Sequence, residues 1–336
     1  MTWDWSSKTK ARLEAFLTAH GLTHGMLTIR RIGDGHSNLT YLITDGEQEV
    51  VVRRPPPPPV PPGAHDVLRE ARLIRALNQT QVPVPSVLAI AEAGEVLDVP
   101  FYVMSFIPGV VITERTPDAL ASPEHRRALA TTLVDGLTEL HGVDWNACGL
   151  SGFGRPEGFN RRHLDRIATL ITGTNGVKDV RFTDIYSWLA DTAPQESGAT
   201  IIHNDYRLGN VMCSAEPPVR LLAILDWELA TLGDPLLDLA YMLACYPEPD
   251  VPPTPTQDFA RALLEPGFPS HAELKERYVE RTGRDLTNLN WYLAMCHWKL
   301  AVLYEYSRQR GEDPYYQKPG LVDRFLEAAR RATRDA

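Results

Sequence analysis

The sequence predicts an α+β fold of two lobes: a small β-rich lobe over residues 1–106 and a larger helical lobe over residues 107–336. Three observations predict it. Short β-branched runs separated by glycine and proline turns fill the first third of the chain. Beyond Ile107-Pro108-Gly109 the apolar residues recur at helical spacing instead. A length of 336 residues also exceeds what one hydrophobic core commonly serves.

The elements follow in order. Ser7 to His20 reads as a helix with Leu13, Phe16 and Leu17 on one face and Gly21 as its stop. Ile29 to Ile32 and Leu39 to Ile43 flank the turn Gly33-Asp34-Gly35-His36 as a hairpin. After Asp45-Gly46 a third strand, Val50 to Val52, ends at Arg53-Arg54. The prolines Pro55 to Pro59, Pro61 and Pro62 exclude helix and central strand. They favour the polyproline conformation that SH3-type domains bind, and are read here as a stiff loop inside the lobe. A helix over Ala64 to Leu77, a strand around Val84 to Ala89 and a strand over Pro100 to Phe106 complete the lobe. Helices are expected at Pro123–His141, Arg161–Leu170, Val180–Leu189, Leu236–Cys245, His271–Arg281, Leu289–Tyr306 and Leu321–Ala332. Two apolar runs, Ala199–Ile202 and Val219–Leu225, bracket a polar loop, and Pro247 to Pro255 reads as a surface loop.

Composition excludes several classes. Apolar residues at 43% and charged residues at 23% argue against disorder, and a formal charge of −9 argues against nucleic acid or anionic membrane as partner. Cys148, Cys213, Cys245 and Cys296 lie too far apart for a zinc site or a disulfide framework, which suggests a reduced cytoplasmic setting. Met1 to Lys10 lacks the apolar core of a signal peptide, and no apolar run nears the roughly 20 residues of a membrane span.

The chemistry concentrates in His203-Asn204-Asp205-Tyr206-Arg207-Leu208-Gly209-Asn210, where an apolar run delivers a polar loop. Sixteen residues after Asn210, a second apolar run delivers Asp226 in Ile224-Leu225-Asp226-Trp227-Glu228. Phosphoryl transfer from ATP needs a carboxylate for the acceptor hydroxyl, oxygen ligands for magnesium and cations for the phosphates. Asp205, then Asn210 with Asp226, then a basic residue of the small lobe can fill those roles. Glu228 shares a face with Asp226 if the segment is extended, either assisting metal or substrate binding or forming a plain salt bridge.

Together with Gly233-Asp234-Pro235-Leu236-Leu237-Asp238-Leu239-Ala240, these segments resemble the aminoglycoside phosphotransferase and choline kinase-like superfamily, relatives of the protein kinases. The resemblance runs from about Arg30 to the helices near residue 310. It implies a bilobal protein-kinase-like fold and the cofactors ATP and Mg²⁺, with Asp205 as catalytic base and Asn210 and Asp226 as metal ligands. His203 is read as shaping the loop, and Asp234 and Asp238 as capping a helix and supporting the loop rather than binding metal.

In the small lobe the resemblance implies nucleotide contacts at Ser37 and Asn38 and at Met104 and Phe106, where a strand enters the hinge. The family's usual strand lysine is replaced by arginine in Val50-Val51-Val52-Arg53-Arg54, so Arg53 is read as its working replacement. Glu70 is its partner or, alternatively, a solvated helix residue. The Arg53-Arg54-Pro55 pattern and Phe101-Tyr102-Val103-Met104-Ser105-Phe106-Ile107-Pro108-Gly109 resemble the kinase-like domains fused to acyl-CoA dehydrogenases. That implies a hydroxyacyl-CoA-like acceptor. The alternatives are an aminoglycoside kinase and a silent, pseudokinase-type nucleotide- or partner-binding protein, and no oligomeric state is expected from the sequence.

Overall fold

A computed structural model describes residues 5–33, 38–57, 65–171, 179–311 and 313–334. The chain divides into two compact units, Met1–Pro108 with Ala223–Glu228, and Gly109–Leu222 with Leu229–Ala336.

The first unit opens with helix α1 (Ser7–Ala19), whose cap Ser6 accepts the Thr9 amide at 3.2 Å. Strands β1 (Thr28–Ile32), β2 (Leu39–Thr44) and β3 (Glu49–Arg54) follow, then helix α2 (Val67–Leu77), β4 (Val87–Ala91) and β5 (Phe101–Ser105). They build one antiparallel sheet in the order β1-β2-β3-β5-β4. Its core packs Leu13 and Leu17 of α1 against Ile43, Val52, Phe101 and Val103. The expected helix from Ala64 starts at Val67, because Asp66 caps it by accepting the Arg69 amide at 2.9 Å; Ala64 itself lies outside the described residues. Strand β4 lies downstream of the expected Val84–Ala89, since Pro85 has no amide for a ladder.

In the second unit α3 (Pro123–His141) begins with proline at its first position and Ser122 as cap, the arrangement that best tolerates a missing amide. Helices α4 (Phe159–Ala168) and α5 (Val180–Asp191) lead to three-residue strands β6 (Thr200–Ile202) and β7 (Val211–Cys213). Strand β8 (Leu221–Ile224) carries the chain from this unit back into the first. After it, β9 (Thr231–Gly233) pairs antiparallel with β6. Helix α6 (Pro235–Ala244) is buried along its whole length and packs against α8 (Leu289–Arg310), while α7 (His271–Thr282) packs on α3 and α9 (Leu321–Arg334) on α8. Among the described residues no helix is long and apolar enough to cross a membrane.

Candidate active site

In the second unit the buried strand β6 delivers the loop His203 to Asn210. Three supports fix it. The Asp238 carboxylate, wholly buried on α6, accepts the His203 amide at 2.6 Å and the Asn204 amide at 2.7 Å. The His203 ring accepts the Asp205 amide at Nδ1, 3.2 Å away. Tyr206 is sunk beside α3, its hydroxyl donating to the Leu133 carbonyl at 2.7 Å. Gly136 makes room for it, since a Cβ there would stand 2.8 Å from the Tyr206 hydroxyl.

On this frame the Asn210 side chain donates from Nδ2 to both the Asp205 carbonyl, 2.8 Å, and the Asp205 Oδ2, 2.7 Å. Two acceptors on one side fix the amide's orientation and turn its Oδ1 away from Asp205. The Arg207 guanidinium stands 3.5 Å from the other Asp205 oxygen. Asn204 adopts φ +66°, a left-handed conformation uncommon outside glycine, directly before the candidate base. Asp234 is wholly buried as the cap of α6 and also accepts from Ser197 and Tyr292.

In the first unit Arg53 of β3 is the centre. Its Nε donates to Glu70 Oε2 at 3.0 Å, its Nη1 to Thr40 Oγ1 at 3.1 Å and its Nη2 to Asp226 Oδ1 at 2.5 Å. Burial alone would lower the Arg53 pKa, but the Glu70 and Asp226 carboxylates, with the Tyr102 hydroxyl beside them, outweigh it and hold it above its ordinary value. Burial raises the Glu70 pKa, with Arg53 opposing. Asn38 donates to Glu228 Oε2 at 3.1 Å. Asp226 has φ +64° and leads into a 3₁₀ turn at Trp227–Leu229, so the extended segment expected to put Glu228 on its face does not form. Instead Glu228 stands 3.9 Å from Arg53, in the salt-bridge role.

The structure thus brings Asn38, Arg53, Glu70 and Asp226 into one network, and Asp205 and Asn210 into another. Met104 is buried in β5 opposite Val51, and Phe106 follows the strand end, both apart from the Arg53 contacts. Ser37 lies outside the described residues. A cavity of ≈ 360 Å³ lined by Ser197, Arg284, Asn288 and Tyr292, among others, includes none of these residues.

Two residues escape a reading of motifs: Tyr241 of α6 and Lys299 of α8 both reach the Asp205 loop. The available signal for Lys299 is a single cation inside the apolar stretch Met295 to Val302.

A family model described as the phosphotransferase enzyme family matches residues 28–276. Over 296 residues the chain is 30% identical to acyl-CoA dehydrogenase family member 10 of Mus musculus, which covers 87% of this chain but only 28% of that protein's length. A solved candidate aminoglycoside phosphotransferase of Ralstonia eutropha is similar with a TM-score of 0.80 at 28% identity, over 97% of this chain and 98% of that one. The aminoglycoside phosphotransferase APH(4)-Ia, solved as a thermostable mutant in ternary complex with ADP and hygromycin B, shares the fold with a TM-score of 0.60 at 15% identity, over 94% and 97% of the two chains. The α+β architecture is that of the kinase-like phosphotransferases.

Proposed function

Because the chain belongs to the phosphotransferase enzyme family, we propose that it transfers the γ-phosphate of ATP to a hydroxyl of a small molecule. The observation that carries the reading is the double hydrogen bond from Asn210 to Asp205. It holds a carboxylate where it can orient an acceptor hydroxyl and take its proton, and leaves an amide oxygen for a hard cation.

Magnesium is the metal we propose, because it takes most of its ligands from phosphate and water and needs few from the protein. Asn210 Oδ1 and the Asp226 carboxylate would hold it, and the bound ion would neutralise charge on the transferring phosphate. Arg53, tied to Glu70, Thr40 and Asp226, offers a guanidinium charge for the phosphates in place of the usual lysine. Asn38 adds an amide donor, and the end of β5 at Met104 to Phe106 presents backbone groups for the adenine.

A hydroxyacyl-CoA-like metabolite is the acceptor we propose, supported by the relative whose name couples it to acyl-CoA chemistry. The test is a turnover screen with magnesium and ATP on hydroxyacyl-CoA and kanamycin-type acceptors, with Asp205→Asn as control. Transfer to hydroxyacyl-CoA that disappears in the variant is expected. Transfer to kanamycin alone would overturn the acceptor, and ATP binding without turnover on any acceptor would make the chain a silent nucleotide-binding protein.

A further inference from the structure

We infer that Lys299 is a positioning residue for Asp205, acting through the Asn204–Asp205 peptide and Tyr241. On α8, Lys299 is only 7% exposed, in a stretch from Trp291 to Val302 that is mostly buried. An ammonium taken from water persists there only where other groups replace its hydration. Among the described residues it meets no carboxylate at ion-pair distance. It meets the loop instead: Nζ donates to the Asn204 carbonyl at 3.3 Å and lies 5.0 Å from the centre of the Tyr241 ring.

Both contacts bear on the candidate base. The Asn204 carbonyl and the Asp205 amide belong to one peptide plane. Lys299 takes its oxygen and His203 Nδ1 takes its hydrogen, so the plane is clamped at both ends. Without the lysine clamp, the left-handed Asn204 could relax and rotate the plane, carrying the Asp205 carboxylate with it. Tyr241 is the second link, since its ring lies under the ammonium and, after burial, the Asp205 charge raises the pKa of its hydroxyl. Lys299 lies beyond residues 28–276, so the family match does not supply it.

The experiment compares full-length Lys299→Met and Lys299→Arg with the parent chain by amide exchange across 202–210, melting temperature, and kcat and KM for ATP. Lys299→Met is expected to speed loop exchange and to lower kcat roughly tenfold to a hundredfold, the effect of a displaced catalytic group. Its KM for ATP should stay within about twofold, because uniform binding is untouched. Lys299→Arg, which keeps the charge, should stay near the parent in both. Should Lys299→Met fail to fold, Lys299→Gln takes its place with the same readings. Loop exchange and kcat at parental values in the neutral variant would overturn the inference, as would losses that merely track the folded fraction. The inference rests on the proposed phosphotransfer only for kcat. A parent chain without turnover would sink that function, and the exchange comparison would still decide the role of Lys299.

Discussion

Arg53 donates to Asp226 through Nη2 at 2.5 Å while its Nε holds Glu70 at 3.0 Å, so one guanidinium ties two carboxylates together. The two bonds differ in energetic weight. Glu70 is 2% exposed, and stripping its partner would strand a buried charge. Asp226 has a side chain 37% exposed, so its pairing is screened by solvent and worth no more than about 1 kcal/mol. Arg53→Met is therefore expected to lose about 3–5 kcal/mol in urea denaturation. Most of that loss should return in Arg53→Met/Glu70→Leu, where the fully buried carboxylate is gone and only the partly exposed Asp226 and Glu228 remain. Arg53→Lys should fall between, because one ammonium cannot reproduce a fork. Equal stability for the single and double variants would show that Glu70 tolerates solitude and that the pair is not what orders this network.

Asp205 and Asn210 call for a kinetic test. Removing a general base commonly costs about 10²- to 10⁴-fold, so Asp205→Asn should lower kcat by that order. Asn210→Ala removes both donors to Asp205 and the amide oxygen at once. It should depress kcat and raise the half-saturating magnesium concentration by about tenfold, as lost ligand-shell contacts do. An unchanged magnesium dependence would take Asn210 out of the metal set.

Asp238 accepts two backbone amides, one on each oxygen, with the His141 ring 3.5 Å away. In Asp238→Asn one acceptor becomes an NH₂ group facing an N–H. Leaving a buried donor unsatisfied costs about 1–3 kcal/mol, which urea denaturation should register. Amide exchange at His203 and Asn204 should quicken at the same time. If exchange in the loop is unchanged, Asp238 is a helix-packing residue and nothing more.

Much of this arrangement is legible in the sequence because the signals are local. Proline at the first position, a serine cap and leucines at helical spacing define α3 at the boundaries expected, Pro123 and His141. Asp234 and Asp238 are readable as structural because they stand at the head of an apolar helix. Strands β7 and β9 leave no such trace, since three residues are too few for alternation to show. The shared face expected for Asp226 and Glu228 does not form, because alternation presumes extended backbone and the left-handed Asp226 breaks it two residues before Glu228. Lys299 is invisible for a different reason. Its partners, Asn204 and Tyr241, are distant in sequence, and only tertiary packing brings them together.

His297 makes acid sensitivity testable. Its ring is buried in α8, Nδ1 has no hydrogen-bond partner among the described residues, and burial, followed by the charges of Arg331 and His271, pushes its pKa down to about 3. The unfolded chain takes up this proton near pH 6.5, whereas the folded chain refuses it until far lower pH. Below that point the unfolded state binds more protons, so the stability contributed by the neutral ring is fully present above about pH 6.5 and is lost progressively as pH falls toward 3. His141 and His163 are depressed by burial in the same direction and add to the slope. We expect the urea midpoint to fall steadily from pH 6.5 to 4.5. His297→Leu should make that fall shallower by about 1.4 kcal/mol per pH unit, the worth of one proton, while the other two histidines keep it from becoming flat. Parallel curves for the variant and the parent chain would mean that His297 takes up its proton in the folded state as readily as in the unfolded one.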